Sequence, residues 1–140
     1  MMRISKTPFD ILDDIYSLAY WMTGSARASE ELVRDTYRKT EAQSEETELL
    51  KRFRNIYVDR YGQHAELTLL EQENGKSSAE LHEMKNRAAD VKLAVLLAAI
   101  TGMKHRQISD ILGKPVETVR TWLFWGRKAL VLDGPLKASA

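Results

Sequence analysis

Residues 87–130 read RAADVKLAVLLAAITGMKHRQISDILGKPVETVRTWLFWGRKAL. The run splits at its glycines. RAADVKLAVLLAAI (87–100) is strongly apolar and closes at Thr101-Gly102. HRQISDIL (105–112) follows, with Ile108, Ile111 and Leu112 at the spacing of one helical face, and Gly113 permits a sharp turn. Pro115 presets φ for the next helix, in which Val116, Val119, Leu123 and Ala129-Leu130 form the inward set. A long helix, then two helices joined by a glycine turn, make a helix-turn-helix. In that motif the second helix enters the major groove of DNA with its N-terminal side chains toward base edges and phosphates. Glu117, Thr118, Arg120 and Thr121 fall there.

Charge supports the reading. The net formal charge is only +1, but it is unevenly spread. Between Gly102 and Leu130 stand Lys104, Arg106, Lys114, Arg120, Arg127 and Lys128 against Asp110 and Glu117. A basic C-terminal module behind an acidic front half suits nucleic acid at one end and protein at the other.

Upstream, the periodicity is again helical. FDILDDIYSLAYWMT (9–23) carries Ile11, Ile15, Leu18, Ala19 and Met22 on one face. Gly24 ends that helix, and Ser25 or Ser29 caps the next, SEELVRDTYRKT (29–40), with Leu32, Val33 and Tyr37 inward. EAQSEETE (41–48) reads as an acidic loop or exposed first turn. A third helix is expected from about Thr47 to Tyr61 on Leu49, Leu50, Phe53, Ile56 and Tyr57. The stretch from Gly62 to about Met84 contains Asn74-Gly75-Lys76-Ser77-Ser78, which punctuates rather than packs. Nothing alternates with period two long enough for a strand. The expected fold is all-α: two small helical domains, 1–61 and 84–140, joined by a linker at 62–83.

Composition narrows the function classes. The 140 residues are 44% hydrophobic and 29% charged, as in ordinary globular proteins. The absence of cysteine removes disulfides and thiol chemistry and fits a reducing cytosol. No apolar run approaches the roughly 20 residues of a membrane span, and MMRISKTPFDILDD turns acidic too early for a secretory signal. His64, His82 and His105 are isolated, so no metal site is expected. There is no phosphate-cradling glycine loop and no nucleophile with its base, so neither catalysis nor a cofactor is expected. A cytoplasmic location is.

Two segments carry a family resemblance. AVLLAAITGMKHRQISDILGKPVETVRTWLFWGRKAL resembles region 4 of the extracytoplasmic-function sigma factors, transcription initiation factors of the sigma-70 class. The likeness runs through Gly102, Gln107-Ile108-Ser109, Gly113, Glu117-Thr118-Val119-Arg120-Thr121 and Arg127-Lys128-Ala129-Leu130. IYSLAYWMTGSARASEELVRDTYRK (15–39) is similar to region 2 through Leu18-Ala19, Thr23-Gly24, Glu30-Glu31-Leu32-Val33 and Thr36-Tyr37. RFRNIYVDR (52–60) resembles the late region-2 helix. Two segments in the right order are more specific than either alone.

The resemblance implies a division of labour. Region 2 would dock on core RNA polymerase through Glu31, Leu32, Arg34 and Asp35. Region 4 would read the −35 element of double-stranded promoter DNA through Lys114, Glu117, Thr118, Arg120, Thr121, Phe124 and Trp125, with Arg127 and Lys128 near phosphates. An anti-sigma factor is a further implied partner. The chain also departs from the family. Trp122 and Trp125 stand where arginines are usual. Glu48 occupies a tryptophan position, and acidic EAQSEETE is a poor surface for single-stranded DNA, which favours positive grooves and stacking platforms. Promoter melting is therefore left open. So is a second reading, a degenerate sigma-like protein that regulates transcription by binding an anti-sigma factor or another protein. For the tryptophans, three roles stand: core, exposed anchor for a partner, or contact with a sugar edge or thymine methyl.

Overall fold

The computed structural model describes residues 11–38, 45–63, 84 and 86–133, excluding the side chains of 127–133. The loop residues 41–44, nearly all of the 62–83 linker, His64, His82 and the Ala129-Leu130 side chains lie outside those. Among the described residues six α-helices follow one another: α1 (Leu12–Thr23), α2 (Ala26–Tyr37), α3 (Glu46–Tyr61), α4 (Ala88–Leu96), α5 (His105–Leu112) and α6 (Val116–Asp133). A π-helical turn, Leu97–Thr101, extends α4. Among the described residues there is no strand, and the fold is all-α.

The expected apolar faces turn inward. Ile11, Ile15, Leu18, Ala19 and Met22 of the first helix are buried, as are Leu49, Leu50, Phe53 and Tyr57 of the third. Ile56, on the same helix, is only half-buried against that core. Gly24 adopts φ +71° and its N–H reaches the Tyr20 carbonyl, so the chain reverses at once after α1. Of the two candidate caps, Ser25 is the one used. Its Oγ accepts from the Ala28 N–H at 3.1 Å, which starts α2 earlier than expected. Ser29 is instead fully buried and donates to the Ser25 carbonyl at 2.7 Å. At the other end of α2, the Arg52 guanidinium donates to the carbonyls of Thr36 and Arg38, occupying acceptors that a helix C-terminus leaves free.

One hydrophobic core takes residues from both halves of the chain. α1 packs on α2 and on α4, α3 packs on α2 and on α5, and α6 lies along α4. The contact of α6 with α4 is unusually close at Gly126. A Cβ there would stand 2.8 Å from Val95 Cγ2 and 3.2 Å from Val91 Cγ1. These are branched side chains with little room to give, so the glycine is a packing requirement.

Gly126→Leu is therefore expected to destabilise the fold by overpacking, by about 1–3 kcal/mol, read as a lower midpoint in urea unfolding. Alkali provides a second check. Burial pushes the Tyr37 phenol up to about 12, and burial followed by the charge of Tyr61 raises that of Tyr57. A phenol in an unfolded chain ionises near pH ~10. The folded state resists ionisation and the unfolded state does not, so stability is intact below pH ~10 and falls as pH rises toward 12. Phenolate absorbance of the buried tyrosines should rise, and helical circular dichroism fall, in one transition.

Candidate nucleic-acid interface

The turn between α5 and α6 is built by short-range bonds. Gly113 takes φ +66°, the Lys114 N–H donates to the Ser109 carbonyl at 3.1 Å, and the Ser109 hydroxyl donates to the carbonyl of Lys114. At the start of α5, the Lys104 N–H donates to Gln107 Oε1 at 3.3 Å, and His105, half-buried, is the first helical residue. These contacts fix the angle at which α6 leaves the turn. Val119, Trp122 and Leu123 are buried beneath it.

The opposite side of α6 is open. Glu117 and Arg120 are exposed, and Thr118 and Thr121 are half-buried. Thr121 spends its hydroxyl on the Glu117 carbonyl at 3.2 Å. The Arg120 guanidinium lies 3.7 Å from the Glu117 carboxylate, both well solvated. Such an exposed pair contributes about 0–1 kcal/mol, so Arg120 can leave it. Phe124 is 55% exposed and meets Trp125 edge to face, with ring centroids 5.1 Å apart. Lys114 shares a cleft with Lys104, Arg106, Gln107, Ser109 and Asp110, and Thr47 of α3 borders it. Glu117, Arg120, Thr121 and Phe124 thus share the outer face of α6, with Thr118 half-buried beside them, while Lys114 lies in the preceding turn on the cleft toward α3. Arg127 and Lys128 belong to α6, with side chains outside the described residues.

The two tryptophans separate. Trp122 is 2% exposed and belongs to the core, whereas Trp125 is half-buried at the core's edge. An exposed Trp122–Trp125 pair serving as a partner's anchor is ruled out by the burial of the first. The aromatic edge at the surface is Phe124 with Trp125.

On α2 the expected polymerase-facing residues also divide. Glu31 and Arg34 are exposed, but Leu32 is fully buried and supports the helix from below. Asp35 is half-buried and pairs with Arg60 and Arg38. The hydrogen bond from Arg60 holds its carboxyl below the usual carboxylate range.

Three polar residues that the sequence reading passed over join the halves. Asp90 is completely buried in the first turn of α4. Arg54 Nε donates to its Oδ1 at 2.9 Å and Arg54 Nη2 to its Oδ2 at 2.7 Å. The Gln63 side chain donates to Oδ2 at 2.8 Å and accepts from the Asp90 N–H at 3.1 Å. The backbone carbonyl of Gln63 accepts from Ala89 N–H at 2.9 Å. The free N–H groups at the start of α4 are thereby capped by the preceding half of the chain. A lone acid in an otherwise apolar run was the available signal, because a buried carboxylate demands a partner. Farther out, Lys51 pairs with Asp110 at 3.4 Å. Among the described residues no cluster of side chains could hold a metal ion, and no helix is long and apolar enough to cross a membrane.

Residues 88–130 match the family described as sigma-70, region 4. That match covers α4, the π-helical turn and the whole helix-turn-helix to Leu130. No curated protein matches the chain. Among solved structures, the chain is similar to the sigma factor RpoE from Bartonella quintana, determined in complex with the anti-sigma factor NepR. The superposition has a TM-score of 0.61 at 17% identity and covers 87% of this chain and 90% of that one. The resemblance to the sigma-70 class therefore holds at the level of region 4 in sequence and of the fold across both halves.

Burial separates the two neighbours Trp122 and Phe124. Trp122→Ala is expected to cost about 3–5 kcal/mol, as for a large core side chain, while Phe124→Ala changes stability by about 0.5 kcal/mol or less. Denaturant titration of the two variants measures both.

Proposed function

We propose that this chain is a sigma-factor-like initiation protein that binds core RNA polymerase and recognises a −35 promoter element through α6. It would work in the cytoplasm, where the polymerase is. The observation that carries the reading is Arg120, exposed on the N-terminal half of the second helix of a region 4. A guanidinium there can donate two parallel hydrogen bonds to guanine O6 and N7, worth about 1–3 kcal/mol of discrimination. Glu117 and Thr118 stand beside it as further candidates for base edges, and Lys114, Arg127 and Lys128 as candidates for phosphates, which fix register without reading sequence. Glu31, Arg34 and Asp35 offer a mixed-charge helix surface for the polymerase, held in place by Leu32.

A second reading has support from the packing. Both halves share one core, and the similar RpoE was solved with an anti-sigma factor bound. A chain that stays closed could act on transcription by occupying an anti-sigma factor, with the Phe124–Trp125 edge as one contact.

The two readings part in a pull-down from native lysate. Recovery of the β and β′ polymerase subunits is expected for an initiation factor, and a small partner without polymerase would sink it. With polymerase bound, promoters are selected from a random duplex pool. Arg120→Ala should then weaken binding to the selected duplex by roughly 5- to 150-fold, equivalent to ~1–3 kcal/mol, and relax selectivity at one position. Arg127→Ala or Lys128→Ala should weaken all duplexes alike and lower the salt slope by about one unit.

A further inference from the structure

The cleft beside the helix-turn-helix carries charge that base reading by α6 does not use. Its volume is about 820 Å³, and it lies along α5 with Thr47 of α3 at its border. Lys104, Arg106 and Lys114 line it. Among the described residues none of the three pairs with a carboxylate. Asp110 is the one acid of the described lining, and Lys51 Nζ already engages it at 3.4 Å. Glu48, in the first turn of α3, lines a separate groove. Like charges gathered in this way repel one another in the folded chain, although the sequence has 20 acidic residues from which a partner could be supplied. A counter-charge from outside the chain removes that repulsion.

We infer that this cleft binds a small anion built of two or three linked phosphate groups, held by Lys104, Arg106 and Lys114 with the Thr47 hydroxyl as a donor from α3. Size argues for a small molecule. The volume lies within the roughly 300–1,000 Å³ of small-ligand sites, whereas a duplex, whose major groove alone is about 12 Å wide, is too broad to enter. Spacing argues for linked phosphates. Lys104 precedes α5 and Lys114 follows it, and the helix between them rises about 12 Å over its eight residues. Cations set at the two ends of such a helix suit a chain of phosphates better than a single one. The dipole at the start of α5 adds to the attraction. Nothing in the described lining is aromatic, so a nucleobase finds no stacking platform there, and the phosphates supply the binding.

The site belongs to the fold and stands without the promoter reading. A ligand that touches both Thr47 and the cations of α5 ties α3 to α5, and binding to the folded chain alone raises its stability. Resting on the promoter reading, a filled cleft also takes Lys114 away from promoter phosphates.

The test is calorimetric titration of the full chain with inorganic tripolyphosphate in magnesium-free buffer at low salt. Saturable binding of one anion per chain is expected, with a thermal midpoint that rises with the anion concentration. Lys104→Gln, Arg106→Gln and Lys114→Gln should each weaken binding by roughly 2- to 5-fold, as for solvated ion pairs, and all three together by about 10-fold or more. Arg27→Gln removes an equal charge from a side chain 91% exposed on α2 and should leave binding unchanged. Thr47→Val should weaken it without altering helical circular dichroism. Adenosine triphosphate should bind within about 3-fold of tripolyphosphate, because the base is not read. No saturable binding at millimolar anion overturns the proposal, and so does equal weakening by Arg27→Gln, which would mean diffuse attraction to net charge. A short random duplex supplies the other source of phosphate. If it binds through the three cations while tripolyphosphate does not, the cleft is a contact for the DNA backbone and the small-anion site falls. Neither polymerase nor promoter enters the assay, so failure of the sigma reading shows separately, as absence of polymerase binding.

Discussion

Asp90 is the residue around which the two halves are arranged. A carboxylate withdrawn from water costs several kcal/mol unless it is paired and hydrogen-bonded. This one sits in a helix whose neighbours Ala88, Ala89, Val91 and Leu93 are all buried. Its position in the first turn of α4 offers the helix dipole as partial compensation, but the main partners come from α3 and the residue pair after it. Arg54 and Gln63 must therefore come to α4, and with them comes the whole of α3. The pairing need not add net stability, since an apolar pair of similar volume often does as well. Its effect is to define one relative placement of the halves, while removing a single partner leaves a bare charge.

That placement determines which parts of the helix-turn-helix face outward. α5 packs on α3, and Lys51 reaches Asp110 across that contact. α6 rests on α4 through Gly126, so Val119, Trp122 and Leu123 turn inward. With 3.6 residues per turn, residues 117, 120, 121 and 124 are left outside. This packing thus leaves the N-terminal half of α6 accessible.

Most of the fold was legible because helix faces are local. The sets at 11–22, 49–57 and 108–112 could be read off the 3.6 period, and the glycines at 24 and 113 do the work of ending helices in the left-handed conformation. The start of α2 was less so: both Ser25 and Ser29 suit an N-cap, and only the burial of Ser29 decides between them. Residues that act across the chain were not legible. Arg54 and Asp90 are 36 positions apart, and no periodicity links them. Trp122 and Trp125, three apart, looked alike on a helix surface. Tertiary packing at Gly126 sets the rotation of α6 and separates them. Glycine within WGRK gave no local reason for its presence, because the reason is Val95 on another helix.

The burial of Trp122 has a consequence for how α6 could hold DNA. A tryptophan in the core is not available to phosphates, and the cations that α6 carries are Arg120, Arg127 and Lys128. Each phosphate neutralised adds about one unit to the salt slope and a corresponding share of affinity, so each cation of the helix counts. Lys104, Arg106 and Lys114 add charge along the turn, yet Asp110 and Glu117 lie among them. A second contact made by the same chain or its partner would add to that affinity. Tethering raises the effective concentration of a weak module to the millimolar range with short linkers, which is enough for a face of this kind to select a sequence it could not retain alone. A helix that carries three cations and two acids suits a protein that arrives at DNA already bound to something larger, since a second contact then adds to its own.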